Sequence, residues 1–190
     1  DGDSVTLDGR ILVTVQDDAP VAIANAPVQL DDETLTGGVE GGIGDVDPNT
    51  AFTSGVLGQK FGGDGGTIAW LLTGNPPGFS YQLSGNNLLI KQGATTVVTV
   101  TLDPATGAYS VAQNAPIQHQ SGGDENDQSF TLTYRITDGD GDAANGTLTI
   151  NVDDDMPSIN PALVQHGVVD EERLAAGNIG DSYVDGGDLT

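Results

Sequence analysis

The chain of 190 residues contains no cysteine, one methionine and one tryptophan. Without thiols there is neither a disulfide nor a thiolate zinc site to staple a fold, so stiffness has to come from elsewhere. Basic residues are almost as scarce: 5 lysines and arginines face 28 aspartates and glutamates, for a formal charge of −23. That balance disfavours any partnership with a nucleic-acid backbone or an anionic bilayer, and it makes a polycation or a metal ion the natural counterpart. No apolar run approaches the roughly 20 residues of a membrane span, and no charged-then-apolar leader opens the chain, so membrane insertion is not expected.

The catalytic signatures are missing too. There is no G-x-S-x-G elbow and no H-E-x-x-H pair, and the two histidines, His119 and His166, are single and far apart, which reads as surface or packing roles. An enzyme is not expected. Gly139 to Ala144 fits G-x-G-x-x-A, but it lies between two strands, with acids where a pyrophosphate would sit. Gly41-Gly42-Ile43-Gly44-Asp45-Val46 approaches the nonapeptide of calcium β-rolls, yet occurs once instead of in series. Trp70 and Tyr81 fall at alternating strand positions, which favours core and strand roles over a sugar-stacking platform.

What the chain does have is period-2 alternation. Phe130, Leu132, Tyr134 and Ile136 alternate with polar residues, and after a Gly-Asp turn Leu148, Ile150 and Val152 do the same, which predicts a hairpin with its apolar side inward. Upstream, Thr67 to Thr73, Phe79 to Leu83, Leu88 to Lys91, Thr96 to Leu102 and Tyr109 to Ala112 read as strands separated by glycine, asparagine and proline turns. Short, evenly spaced strands predict an all-β fold, an antiparallel β-sandwich with glycine-rich loops at Gly37 to Pro48 and Gly62 to Gly66.

Two segments repeat. Ile11 to Ala22, ILVTVQDDAPVA, matches Leu148 to Ile159, LTINVDDDMPSI, and Leu30 to Leu35, LDDETL, matches Val169 to Leu174, VDEERL. The order and the nearly equal spacing of the pairs imply a long tandem repeat. Residues 1–19 are then the tail of a preceding copy, 20–155 a complete sandwich, and 156–190 a linker and the start of a following copy, so that the chain reads as a piece of an array. Its expected partners are neighbouring repeats of the same polypeptide, and the chain itself is expected to be monomeric.

The acidic residues are clustered, and adjacent unpaired carboxylates repel. Asp138-Gly-Asp140-Gly-Asp142 alternates acids with glycines, so a sharply curved backbone can aim several oxygens at one point, as the six to eight oxygen ligands of calcium require. The expected calcium ligands are Asp138, Asp140, Asp142, Asp153, Asp154, Asp155, Asp170, Glu171, Asp1, Asp3, Asp17, Asp18, Asp31, Asp32 and Glu33. A hairpin turn and its far end lie at opposite ends of a sheet, which separates Asp138 to Asp142 from Asp153 to Asp155 unless the loop is longer than a tight turn, so the sequence leaves open which acids share an ion. Asp17, Asp18, Asp31, Asp32 and Glu33 are expected to meet at one domain junction, and Asp153 to Asp155 to meet Asp170 and Glu171 at the other. Magnesium suits such flexible carboxylate loops less well than calcium does.

The opening Val169-Asp-Glu-Glu-Arg-Leu174, the Leu102 to Tyr109 turn, Ala115-Pro-Ile-Gln-His119, and the closing Phe130 to Asp142 with Val152-Asp-Asp-Asp-Met-Pro157 resemble the long tandem repeats of type I secreted, RTX-type bacterial adhesins, related to cadherin-like and bacterial immunoglobulin-like extender modules. The resemblance implies export through a type I channel, folding outside the cell where calcium is plentiful, and a place on the bacterial surface supporting adhesion and biofilm formation. The module is then an extender or scaffold, stiffened by calcium at its loops and junctions, with an inserted or distal ligand-binding domain elsewhere in the parent protein. The rival reading is a carbohydrate- or protein-binding module that touches the target itself.

Overall fold

In a computed structural model the described residues are 2–4, 9, 13–41, 44–45, 48–121, 126–157 and 164. The chain divides into two compact units, Asp1–Pro157 and Ser158–Thr190. All the strands found among the described residues lie in the first.

These strands number eleven and are joined by one short 3-10 turn, Asp32–Thr34. The centre of one sheet is the hairpin of β10 (Gln128–Asp138) and β11 (Ala143–Asp153), paired apolar side inward as the alternation predicts, with Phe130 facing Ile150 and Leu132 facing Leu148. β5 (Gly66–Leu71) pairs antiparallel with β10, while β2 (Val28–Asp31) runs parallel to the other side of β11, giving the order β2-β11-β10-β5. The second sheet is antiparallel throughout, in the order β3 (Phe52–Val56), β9 (Ala108–Gln113), β8 (Thr95–Leu102), β7 (Asn87–Gln92), β6 (Phe79–Ser84). A small ribbon of β1 (Val21–Ala22) and β4 (Gln59–Lys60) completes the set. The fold is an all-β sandwich, as the alternating sequence implies.

Alternate side chains from the two sheets close the core. Phe130, Leu132, Ile136, Leu148, Ile150 and Val152 on one side and Leu88, Ile90, Val98, Val100 and Val111 on the other are fully buried. Each such side chain contributes roughly 1.5–3 kcal/mol by leaving water. Phe79 meets Phe130 edge to face across the sandwich, with centroids 4.9 Å apart. Trp70 and Tyr134, neighbours on β5 and β10, make a second edge contact at 6.1 Å, so Trp70 is a core residue.

Tyr134 shows how polar atoms enter this core. Its hydroxyl donates to the Gly58 carbonyl and accepts from the Asn25 amide, both at 2.9 Å. Its ring lies over Gly146, its register partner, where a Cβ would come within 2.3 Å of the ring. The glycine is there to leave that space.

Candidate metal centres

Because β10 and β11 are each 11 residues long, the hairpin spans on the order of 30 Å. Its turn carries Asp138 to Asp142, and its far end carries Asp153 to Asp155. The acids therefore gather at two poles of the sandwich.

At the turn pole, the Asp138 carboxylate accepts from the Gly141 N–H at 3.0 Å through Oδ1, and Asp140 Oδ1 accepts from the Asp142 N–H at 3.3 Å. Gly141 has φ +109°, a conformation that a side chain would strain. Register places Gly66 opposite Asp138, which brings the β4–β5 loop and its Asp64 alongside. Asp64, Asp138 and Asp140 offer oxygens within 4.8 Å of one another, and so do Asp17, Asp140 and Asp142. Asp18 accepts from the Gly63 N–H at 3.2 Å and ties the incoming chain to the same loop.

Asp138 is 6% exposed, and its Oδ2 is buried without a hydrogen-bond partner. Its neighbour Asp140 is also a carboxylate, so the two approach only by sharing a proton or a cation. The local electrostatics point the same way. Burial, then the close Asp140 carboxylate, raises the Asp138 carboxyl, Asp17 is raised by its approach to Asp140, and Asp140 is held low by the same two neighbours.

At the opposite pole, the parallel β2–β11 pairing sets Asp31 beside Asp153. The 3-10 turn then adds Asp32 and Glu33, and all four are buried. Asp31 Oδ1 accepts from the Glu33 N–H at 2.7 Å, capping the turn. Glu33 accepts from the Gly41 N–H at 2.6 Å and the Asn49 amide at 2.7 Å, which draws in the glycine-rich loop. That loop brings Asp45, so Asp31, Glu33 and Asp45 present oxygens within 4.8 Å of one another. Asp31 Oδ2 is buried and has no hydrogen-bond partner. Burial and the neighbouring acids raise both Asp31 and Glu33. Asp155 accepts from the Val39 N–H at 3.2 Å and closes the loop over the cluster.

A third group at this pole is built around His119. Asp32 accepts from the Gln113 amide and, at 2.8 Å, from the Ile117 N–H. His119 Nε2 lies 3.5 Å from Asp32 and 3.8 Å from Asp154, with its side chain 3% exposed. Burial lowers the His119 pKa, but Asp32, Asp154 and the Asn126 carbonyl outweigh it, and the net shift is upward.

The expected ligands thus divide differently from the junction grouping that the sequence implies. Asp17 and Asp18 belong with Asp138, Asp140 and Asp142 at one pole. Asp31, Asp32 and Glu33 belong with Asp153, Asp154 and Asp155 at the other, because β2 runs parallel to the end of β11 and delivers them there. Asp3 is exposed and joins none of the described groups, while Asp1, Asp170 and Glu171 lie outside the described residues. Asp45, Asp64 and His119 join the groups without being among the expected ligands. Asp45 sits in the near-match to the β-roll nonapeptide, and Asp64 in a glycine-rich loop whose position only the β5–β10 register supplies.

Both poles fit a hard, oxygen-loving dication: several carboxylates converge, and at each pole one buried carboxylate oxygen has no donor. Residues 27–151, which carry nearly all of this architecture, match the model of a domain of unknown function, DUF5801. The chain belongs to the DUF5801 family. No curated protein and no solved structure matches it. Within the DUF5801 match lie β2 to β10 and most of β11, along with Asp31 to Glu33, Asp45, Asp64, His119 and Asp138 to Asp142; Asp17, Asp18 and Asp153 to Asp155 flank it.

Proposed function

We propose that this domain is a structural extender or scaffold module of a secreted bacterial surface adhesin, non-catalytic and stiffened by calcium at both ends. The observation that carries the reading is the polarity of the hairpin: Asp138 ends β10 at one pole among the carboxylates of Asp64 and Asp140, and Asp153 ends β11 at the other beside Asp31, whose carboxylate converges with those of Glu33 and Asp45. A module that binds cations at both ends is suited to joining neighbours end to end, with the chain entering through Asp17 and Asp18 and leaving through Asp153 to Asp155. Residues that would hold calcium are Asp17, Asp64, Asp138, Asp140 and Asp142 at the first pole, and Asp31, Glu33 and Asp45 at the second. The ion supplies charge neutralisation that a chain of charge −23 otherwise lacks.

A domain that folds poorly without calcium suits export through a type I channel, because a metal-free, thiol-free chain of low stability stays threadable until millimolar-range calcium outside the cell stabilises its fold. Neighbouring repeats are its natural partners, with adhesive contact left to another domain of the parent protein. The cleft bounded by Ile68, Trp70, Leu83, Asn86 and Leu102, beside the tryptophan, holds about 50 Å³, far below the 300–1,000 Å³ of ordinary ligand sites, so this cleft is not a sugar-binding pocket.

Thermal unfolding of the 190-residue chain in excess chelator, then across calcium and magnesium titrations, tests the proposal. A calcium-specific rise in Tm supports it, and a Tm unmoved by millimolar calcium overturns it.

A further inference from the structure

One group at the exit pole has a chemistry unlike the rest. Backbone carbonyl oxygens only accept, so His119 Nδ1 must carry the proton it gives to the Asn126 carbonyl. In the neutral ring Nε2 is then a lone pair. It is buried, it has no hydrogen-bond partner, and it points at two carboxylates. Lone pair facing anion is repulsive, so Nε2 has to meet the two carboxylates either through a proton or through a metal cation.

The distances suit one. Nε2 is 3.5 Å from Asp32 Oδ2 and 3.8 Å from Asp154 Oδ1, too long for hydrogen bonds but close to the spacing of about 3.4 Å between ligands of a tetrahedral ion with 2.1 Å bonds. An N–H to carbonyl bond on one ring nitrogen, with the other aimed into the site, is also how metal-bound histidines are held. The neighbouring groups brace each ligand. Gln92 bonds both the N–H and the carbonyl of Gln118, each at 2.8 Å, and Ile117 and Gln113 hold Asp32. The Asp155 N–H, at 3.0 Å, holds Asp154 Oδ1.

We propose that Asp32, His119 and Asp154 form a site for a transition-metal dication of the zinc class, distinct in preference from the all-oxygen groups at either pole. Calcium has little use for an imidazole nitrogen, whereas zinc and its neighbours favour one. The site joins the 3-10 turn after β2, the segment after β9 and the end of β11, three chain segments brought together around a buried histidine.

The test is calorimetric titration of the chelator-stripped 190-residue chain with zinc chloride at about pH 8, where protons compete little for imidazole, in excess calcium so that oxygen sites are filled. One zinc equivalent is expected. Its affinity falls at least about tenfold in His119→Gln and in Asp154→Asn, and is unchanged in His166→Gln. Because Asp154 is the most exposed ligand, Asp154→Asn decides the matter should His119→Gln fail to fold. Zinc-induced change in the His119 Nε2 nitrogen shift is the second readout. No zinc uptake in excess calcium, uptake that survives both substitutions, or uptake that follows His166 overturns the proposal. Since zinc is read directly, a failure of calcium to raise Tm would not be mistaken for failure of this site.

Discussion

Asp31 and Asp153 are register partners in the single parallel pairing among the described strands, and both are buried. Like charges set directly opposite one another on neighbouring strands destabilise a sheet. The pairing is therefore a cost in the metal-free domain and a ligand source in the loaded one. Asp31→Asn is expected to raise the Tm measured in chelator by a few degrees and to shrink the further rise that calcium produces. A substitution that lowers both values equally would mean that Asp31 serves only to cap the 3-10 turn.

The pH dependence of the metal-free domain has a definite sign. Asp17, Asp31, Glu33 and Asp138 all have folded pKa values above their ordinary 3.8 or 4.5. A group so raised contributes stability that is complete below its unfolded pKa and is lost as pH rises through the folded one. His119, raised from 6.5, acts in the same direction nearer neutrality. Asp103 and Asp140 are lowered, and their contribution disappears only as pH falls below the ordinary carboxylate range. In chelator the domain is thus expected to melt higher at mildly acidic pH than at neutrality, and saturating calcium is expected to flatten or reverse the slope. Melting curves across that window, with and without calcium, give the answer; a chelated domain that weakens steadily from neutrality into mild acid contradicts the assignment.

Most of the fold was legible because a half-buried strand writes its geometry as alternation. Phe130 to Ile136 and Leu148 to Val152 gave the central hairpin and its buried face, and the turns at Gly74 to Gly78, Gly85-Asn86 and Gln92-Gly93 separated the upstream strands within a residue or two. Less visible were β2, β3 and the short β1–β4 ribbon. β2 is only Val28 to Asp31 and is buried at three of its four positions, so it shows no alternation, and β3 carries its exposed Phe52 and Val56 against the usual pattern. The candidate ligands were legible as residue types and not as partners. That Asp17 meets Asp140 and Asp31 meets Asp153 depends on long-range placement, in the second case on β2 running parallel to β11, and no local spacing encodes it.

The Tyr134–Gly146 contact makes a prediction independent of any ion. Gly146→Ala drives a methyl group into the Tyr134 ring, and overpacking of this kind typically costs about 1–3 kcal/mol. Tyr134→Phe keeps the ring and removes the hydroxyl that serves Gly58 and Asn25, at a cost of roughly 1–2 kcal/mol. Denaturant unfolding of each variant measures both. The pair should be non-additive, because the ring displaced by the alanine already strains the hydroxyl contacts.

The two poles should behave as separate sites. Asp138 and Asp31 sit at opposite ends of a hairpin on the order of 30 Å long, they share no ligand, and no single ion reaches both. Asp138→Asn and Asp31→Asn are each expected to remove part of the calcium-induced stabilisation, and the double variant to remove the sum within about 0.5 kcal/mol, as holds for distant sites without shared partners. The comparison needs only the calcium-dependent difference in unfolding free energy for four proteins. A strongly non-additive double variant would mean that metal binding at one pole reorganises the other through the sheet. The two calcium clamps would then be coupled parts of one cooperative body instead of independent clamps at either end of the sandwich.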